Sequence, residues 1–278
     1  MIVQHNMSAL NTNRQLGVTN KLMATSTERL SSGYRVNRAA DDAAGLSISE
    51  KMRGQIRGLN QASANAQDGQ SLIQTAEGAL GEIHSVIQRM RELTVQASND
   101  TNVSTDRLAI ALELAALSSE IDRIASQTEF NTMTLLNGGF TDKSLQVGAN
   151  SGQNIGINID SMTTTALGIT VGDIASQVTL STANWASISP LIDTVNAALE
   201  KVSQQRSKLG AIQNRLDHTI ANADNMAENL QSSESKIRDV DMAKEMVTYS
   251  AKSILQQAGQ SMLAQANQAT QGVLSLLR

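Results

Sequence analysis

Apolar residues recur every three or four positions through most of this chain, the period of an amphipathic helix. In the set Ile48, Met52, Ile56, Leu59, Ala62, Ala66, Gly69, Ile73, Ala76, Leu80, Ile83, Ile87 and Met90 the steps average that of a heptad seam, which predicts a long coiled-coil-like helix to about Ala97. A second helix over 104–128 is predicted from Ile110, Leu114, Leu117, Ile121 and Ile124, and Ser104 to Asp106 supply candidate caps. The polar link Asn99-Asp100-Thr101-Asn102 between them is so short that the two should lie antiparallel. A third seam, Ile188 to Leu230, matches the first in length and period, with Ser189 as expected cap and Pro190 at the expected first helical position. A fourth, Ile237, Val240, Ala243, Val247, Ala251, Ile254, Ala258, Met262, Ala266, Ala269, Val273 and Leu277, predicts one uninterrupted helix.

Residues 1–40 carry a sparser stripe, Val3, Met7, Leu10, Gly17 and Ala24, and are the expected mate of the fourth seam. Between the helical stretches the period falls to two. Leu145 and Val147, then Ile155, Ile157 and Ile159, alternate with polar neighbours around a turn at Asn150-Ser151-Gly152, the pattern of a β-hairpin at about 140–160. Residues 161–184 are less decided, with a short strand expected near Ile169-Thr170-Val171. The predicted fold is therefore mainly α. A long antiparallel coiled-coil-like helical rod (45–160 with 188–231) carries the hairpin, terminal helices pair (1–44 with 232–278), and 161–187 form a short variable segment.

Composition agrees with helical seams rather than an enzyme core. The five aromatics are Tyr34, Phe130, Phe140, Trp185 and Tyr249, so the interior must be built from Ala, Leu, Ile, Val and Met. A single proline leaves long helices uninterrupted. The net charge of −4 is dispersed, giving no footprint for nucleic acid. No apolar run is long enough for membrane insertion, and the first residues lack a secretory pattern. The absence of cysteine removes disulfide and thiolate chemistry.

The chain offers little for catalysis. His5, His84 and His218 are isolated, and no metal-ligand spacing, phosphate loop or nucleophile elbow occurs, so neither catalytic residue, metal nor cofactor is expected. Asp41-Asp42 and the pair Asp239, Asp241 read as helix starts before they read as carboxylate dyads. What the chain has in excess is apolar seam. A lone amphipathic helix does not offset its own ordering entropy, so a stripe without an intramolecular mate must be covered by something else, and self-assembly is the economical cover.

Several runs are individually recognisable. ERLSSGYRVNRAADDAAGLSISEKMR (Glu28 to Arg53), NAQDGQSLIQTAEGAL (Asn65 to Leu80), QRMRELTVQASND (Gln88 to Asp100), EFNTMTLLNG (Glu129 to Gly138), ESKIRDVDMAKEM (Glu234 to Met246) and VLSLLR (Val273 to Arg278) closely resemble the signatures of bacterial flagellins. The resemblance covers nearly everything apart from roughly 160–187.

The resemblance implies a structural subunit of the helical flagellar filament, extracellular and exported through the flagellum's own path without a cleaved signal peptide. It implies terminal helices that line the filament core, and a smooth surface, since larger relatives carry outer domains where this chain has 161–187. Filament-core assembly residues are then Val3, Met7, Leu10, Val247, Ile254, Ala258, Met262, Leu263, Val273 and Leu277. The implied partners are further copies of the chain, a flagellar secretion chaperone at the C-terminal helix, and the flagellar cap and hook-filament junction proteins. A vertebrate Toll-like receptor is a further implied partner, through Arg89, Leu93, Gln96 and Glu113, residues that read equally as ordinary rod-surface and inter-subunit positions. A hook-filament junction protein shares the terminal helices and is the nearest alternative. A coiled-coil signalling rod is the alternative from another class, and it should carry a membrane span or a sensory domain.

Overall fold

A computed structural model describes residues 6–170, 178 and 185–276. Helix α1 (Met7–Ser32) starts where the Asn6 side chain accepts the Ala9 N–H, and stops at Gly33, whose φ of 75° lets its own N–H return to the Arg29 carbonyl. Helix α2 (Ala43–Ala97) is opened by the Asp42 carboxylate, which accepts the Gly45 N–H at 2.8 Å. After a short polar link comes α3 (Ser104–Gln127), where the Asp106 carboxylate reaches back to the Val103 N–H.

Two small antiparallel ribbons follow. Strands β1 (Glu129–Phe130) and β2 (Met133–Thr134) are joined by Asn131 and Thr132, both at positive φ. The second, β3 (Lys143–Gln146) with β4 (Asn154–Ile157), is the predicted hairpin, in the register Lys143↔Ile157 and Leu145↔Ile155. Next are the one-turn α4 (Thr164–Leu167), then α5 (Trp185–Arg238) and α6 (Met242–Leu276).

Three expectations are corrected. The helix expected to begin at Ser189-Pro190 already includes Trp185, so Pro190 sits inside α5, where it leaves the Ala186 carbonyl without its helical donor. The fourth seam is not one helix. Ile237 belongs to α5, and the backbone breaks at Asp239 and Val240 because the Val240 N–H bonds the Gly33 carbonyl and Asp241 caps a new helix through the Lys244 N–H. Ile169 and Thr170 form no strand; the Ile169 N–H bonds the Thr164 carbonyl instead, while Val171 lies outside the described residues.

The chain divides into two units, Met1–Ile56 with Glu228–Arg278, and Arg57–Ala227. The second holds the larger core. Ile73, Ala76, Leu80, Ile83, Ile87 and Met90 of α2 are completely buried, facing Leu114 and Ile121 of α3. On α5 Ile188, Val195, Val202, Leu209 and Leu216 are buried at every seventh residue, a heptad seam. A polar residue also sits in that seam. Gln205 is buried there and donates to the Asn158 carbonyl.

Helices α2 and α3 are antiparallel, as their short link predicts. Near the link Arg107, largely buried, donates to the carbonyls of Ala97 and Asn99, and Arg89 meets Glu113 about two helical turns further along. The hairpin lies close on α2 at Gly58, where a Cβ would stand 2.9 Å from that of Ala149.

Candidate assembly surface

The smaller unit pairs α1 with α6. The Asn6 amide donates to the Ala266 carbonyl, Leu16 lies beside Gly259, and the Lys252 ammonium donates to the Leu22 carbonyl and, at 2.7 Å, to the buried Ser26 hydroxyl. Rising numbers on one helix meet falling numbers on the other, so the pair is antiparallel. The expected pairing of the terminal segments is present, but through an unexpected face.

Among the described side chains of α6, to Ala269, those partly covered are Glu245, Thr248, Tyr249, Lys252, Ser253, Gln256, Gly259, Leu263 and Ala266; covered residues of α1 include Ala9, Thr12, Leu16, Thr19, Met23 and the buried Ser26. Both rows are dominated by small and polar side chains. The apolar rows point the other way. Val247 is 71% exposed and Ile254 66%, with Leu255 and Met262 beside them and Ala258 exposed between; on α1, Met7, Leu10, Val18 and Leu22 are exposed.

Among the expected assembly residues, then, Met7, Leu10, Val247, Ile254, Ala258 and Met262 share outward apolar faces, and Leu263 is half-buried towards α1. Val3, Leu277 and the side chain of Val273 lie outside the described residues. Leu255, Leu22 and Val18 extend the apolar faces and were not expected; for Leu255 and Val18, adjacency in sequence to the stripe residues Ile254 and Gly17 was the available signal. A contiguous exposed face of this kind marks an interaction surface.

The same unit contains a clasp absent from the sequence expectations. The Arg35 N–H donates to the Arg238 carbonyl and the Val240 N–H to that of Gly33, a short β-bridge between Tyr34 and Asp239. The Arg238 guanidinium lies 4.7 Å from the centre of the Tyr34 ring and 2.8 Å from Glu50. Arg238 beside Glu50 holds that carboxyl below the usual glutamate range, with Arg53 adding to the effect. Asp41 is lowered as well, because its carboxylate accepts the backbone N–H groups of Arg38 and Asn37. Asp41, Asp42 and Asp241 thus serve helix starts and turns.

On the larger unit, Arg89 donates to Glu113 at 2.9 Å and to Glu92 at 3.0 Å, contacts that push its guanidinium further into the charged form. Arg89, Gln96 and Glu113 are exposed, whereas Leu93 is 2% exposed and belongs to the core. His84 is half-buried beside Gln88, His218 is exposed, and His5 lies outside the described residues. Among the described residues no group of three or more His, Cys, Asp or Glu could hold a metal ion, and no helix is long and apolar enough to cross a membrane.

Comparison with known proteins agrees with a helical assembly protein. Residues 3–141 match the bacterial flagellin N-terminal helical region, and residues 192–277 match the bacterial flagellin C-terminal helical region. The flagellin of Halalkalibacterium halodurans is 53% identical over the full length of both chains. A flagellar filament 33 kDa core protein of Treponema phagedenis is 50% identical, again over the whole of each. The crystal structure of Bacillus cereus flagellin is 31% identical, covering 60% of this chain and 94% of that one at a TM-score of 0.49. Two family regions that together take in most of the sequence, with full-length identity above half, place this chain in the bacterial flagellin family.

Proposed function

We propose that this chain is a structural subunit of the flagellar filament that polymerises by covering the outward apolar faces of α1 and α6 with those of neighbouring copies. The observation that carries this reading is the orientation of the α1–α6 pair. Its intramolecular seam is mostly polar and small residues, with Leu16, Met23 and Leu263 among them, while Met7, Leu10, Val18 and Leu22 of α1 and Val247, Ile254, Leu255 and Met262 of α6 are left facing solvent. Burying those faces is favourable by the ordinary hydrophobic term, and a head-to-tail contact between identical subunits propagates into a helical polymer. The filament is extracellular, and full-length identity to flagellins favours the main subunit over a junction protein.

Finer parts of the reading follow from the same surfaces. Before export the exposed stripe of α6 is the natural seat for a secretion chaperone, and after export the first and last subunits of the polymer meet junction and cap proteins through the same faces. Recognition by a Toll-like receptor would fall to Arg89, Gln96 and Glu113, with Leu93 acting from the core by fixing the α2 surface.

The test is seeded elongation. Val247→Asp and Ile254→Asp place a carboxylate where a neighbour must cover it, at a desolvation cost of several kcal/mol. Both variants should melt like the parent chain as free subunits and fail to extend short filament seeds. Elongation at the parental rate by both would overturn the proposal.

A further inference from the structure

The two outward faces carry a chemistry that the assembly reading does not use. Met7 is 69% exposed and Met262 59%, whereas the core methionines Met90 and Met162 are buried. The antiparallel pairing that joins Asn6 to Ala266 brings Met7 and Met262 to the same end of the α1–α6 pair. A thioether in that position is open to solvent in the free subunit and closed once a neighbour covers the stripe.

Resting on the proposed assembly surface, we propose that Met7 and Met262 form a peroxide-sensitive modification site that switches off assembly of free subunits and is protected in the filament. The reaction is balanced with hydrogen peroxide as oxidant. The sulfur lone pair attacks one peroxide oxygen, the O–O bond breaks, a sulfur–oxygen bond forms, and the remaining oxygen leaves as water with both protons. The sulfur is oxidised by two electrons and the peroxide reduced by two. The product sulfoxide is polar where the apolar stripe must be dehydrated, and it is reversible by methionine sulfoxide reductases.

The experiment treats free full-length chain with hydrogen peroxide, removes the oxidant, maps added oxygen by peptide mass spectrometry and then supplies filament seeds. Oxidation at Met7 and Met262 should slow elongation by roughly tenfold or more, since each sulfoxide forfeits much of the gain from burying a methionine. The Met7→Leu, Met262→Leu double variant keeps an apolar side chain of similar volume at both positions, and its elongation rate, whatever its level, should be the same before and after peroxide. The exposed Met133 and Met226 in the same chains report that oxidation took place. Methionine sulfoxide reductase should restore elongation to the oxidised parent chain, and assembled filaments should resist oxidation at both positions.

The proposal is overturned if the oxidised parent elongates at the untreated rate, if the double variant loses elongation equally, or if the reductase restores nothing. Equal oxidation of the two methionines in filaments and free chain would also overturn it. If peroxide has no effect while Val247→Asp and Ile254→Asp block elongation, only the oxidation site falls. If the Asp variants elongate normally, the parent reading falls instead.

Discussion

Replacing two isoleucines by alanine separates folding from assembly. Ile83 is fully buried in the larger core, and Ile254 is 66% exposed on α6. Truncating a buried isoleucine costs about 2–5 kcal/mol. For a unit the size of Arg57–Ala227 each kcal/mol moves the melting temperature by roughly 2–4 °C, so Ile83→Ala should melt about 4–20 °C lower. Ile254→Ala removes little that is covered in the free chain and should leave the melt unchanged.

In the filament the order reverses. Fully burying an isoleucine side chain is worth about 1.5–3 kcal/mol, and covering the two thirds of Ile254 still exposed contributes about 1–2 kcal/mol per subunit. Losing most of it raises the critical concentration by roughly 5–30-fold. Calorimetry on free subunits and pelleting of filaments across a dilution series measure the two quantities separately. The reasoning is refuted if Ile254→Ala melts as low as Ile83→Ala, or if its critical concentration equals that of the parent.

Two further outcomes are expected from the smaller features. Glu50 has a carboxyl lowered by Arg238, so the folded state binds its proton less readily than the unfolded chain does. Its contribution to stability is present above the ordinary glutamate value and is lost as pH falls through the lowered one; Arg238→Met should return the Glu50 titration, followed by carboxyl NMR, towards the ordinary value, and an unchanged titration would show that Arg238 is not the cause. Thr132 holds a φ of 64° in the β1–β2 turn, a costly conformation for a β-branched residue. Thr132→Gly should therefore stabilise the chain by about 1 kcal/mol, seen as a melting temperature higher by a few degrees; a lower one would count against strain at that turn.

The long helices were legible because their seams repeat at a heptad period over many turns, and tertiary packing honours that period from Ile73 to Met90 and from Ile188 to Leu216. The hairpin was legible from alternation around Ile155 and Ile157. The break between α5 and α6 was not, because Ile237, Val240 and Ala243 keep the helical phase; the chain is interrupted there by a backbone bond from Val240 to Gly33, two hundred residues away in sequence. The turn at Asn131-Thr132 has no such mark in the sequence, because it lacks the glycine that usually announces positive φ.

The assembly surface was half legible. Sequence identifies which side of α1 and α6 is apolar, and the natural assumption is that the apolar sides meet. They do not, because Lys252 with Ser26 and Asn6 with Ala266 satisfy one another across a seam that is mostly polar and small residues. Which face a partner helix takes depends on those hydrogen bonds between the two helices, and no local periodicity encodes them.

The central claim is that the outward face of α6 is covered in the polymer. The chain contains no cysteine, so Ile254→Cys creates a single thiol on that face, and its labelling rate with a maleimide can be compared in free subunits and in filaments. The account predicts rapid labelling of the free chain and strong protection in the filament; equal rates in the two states would contradict it.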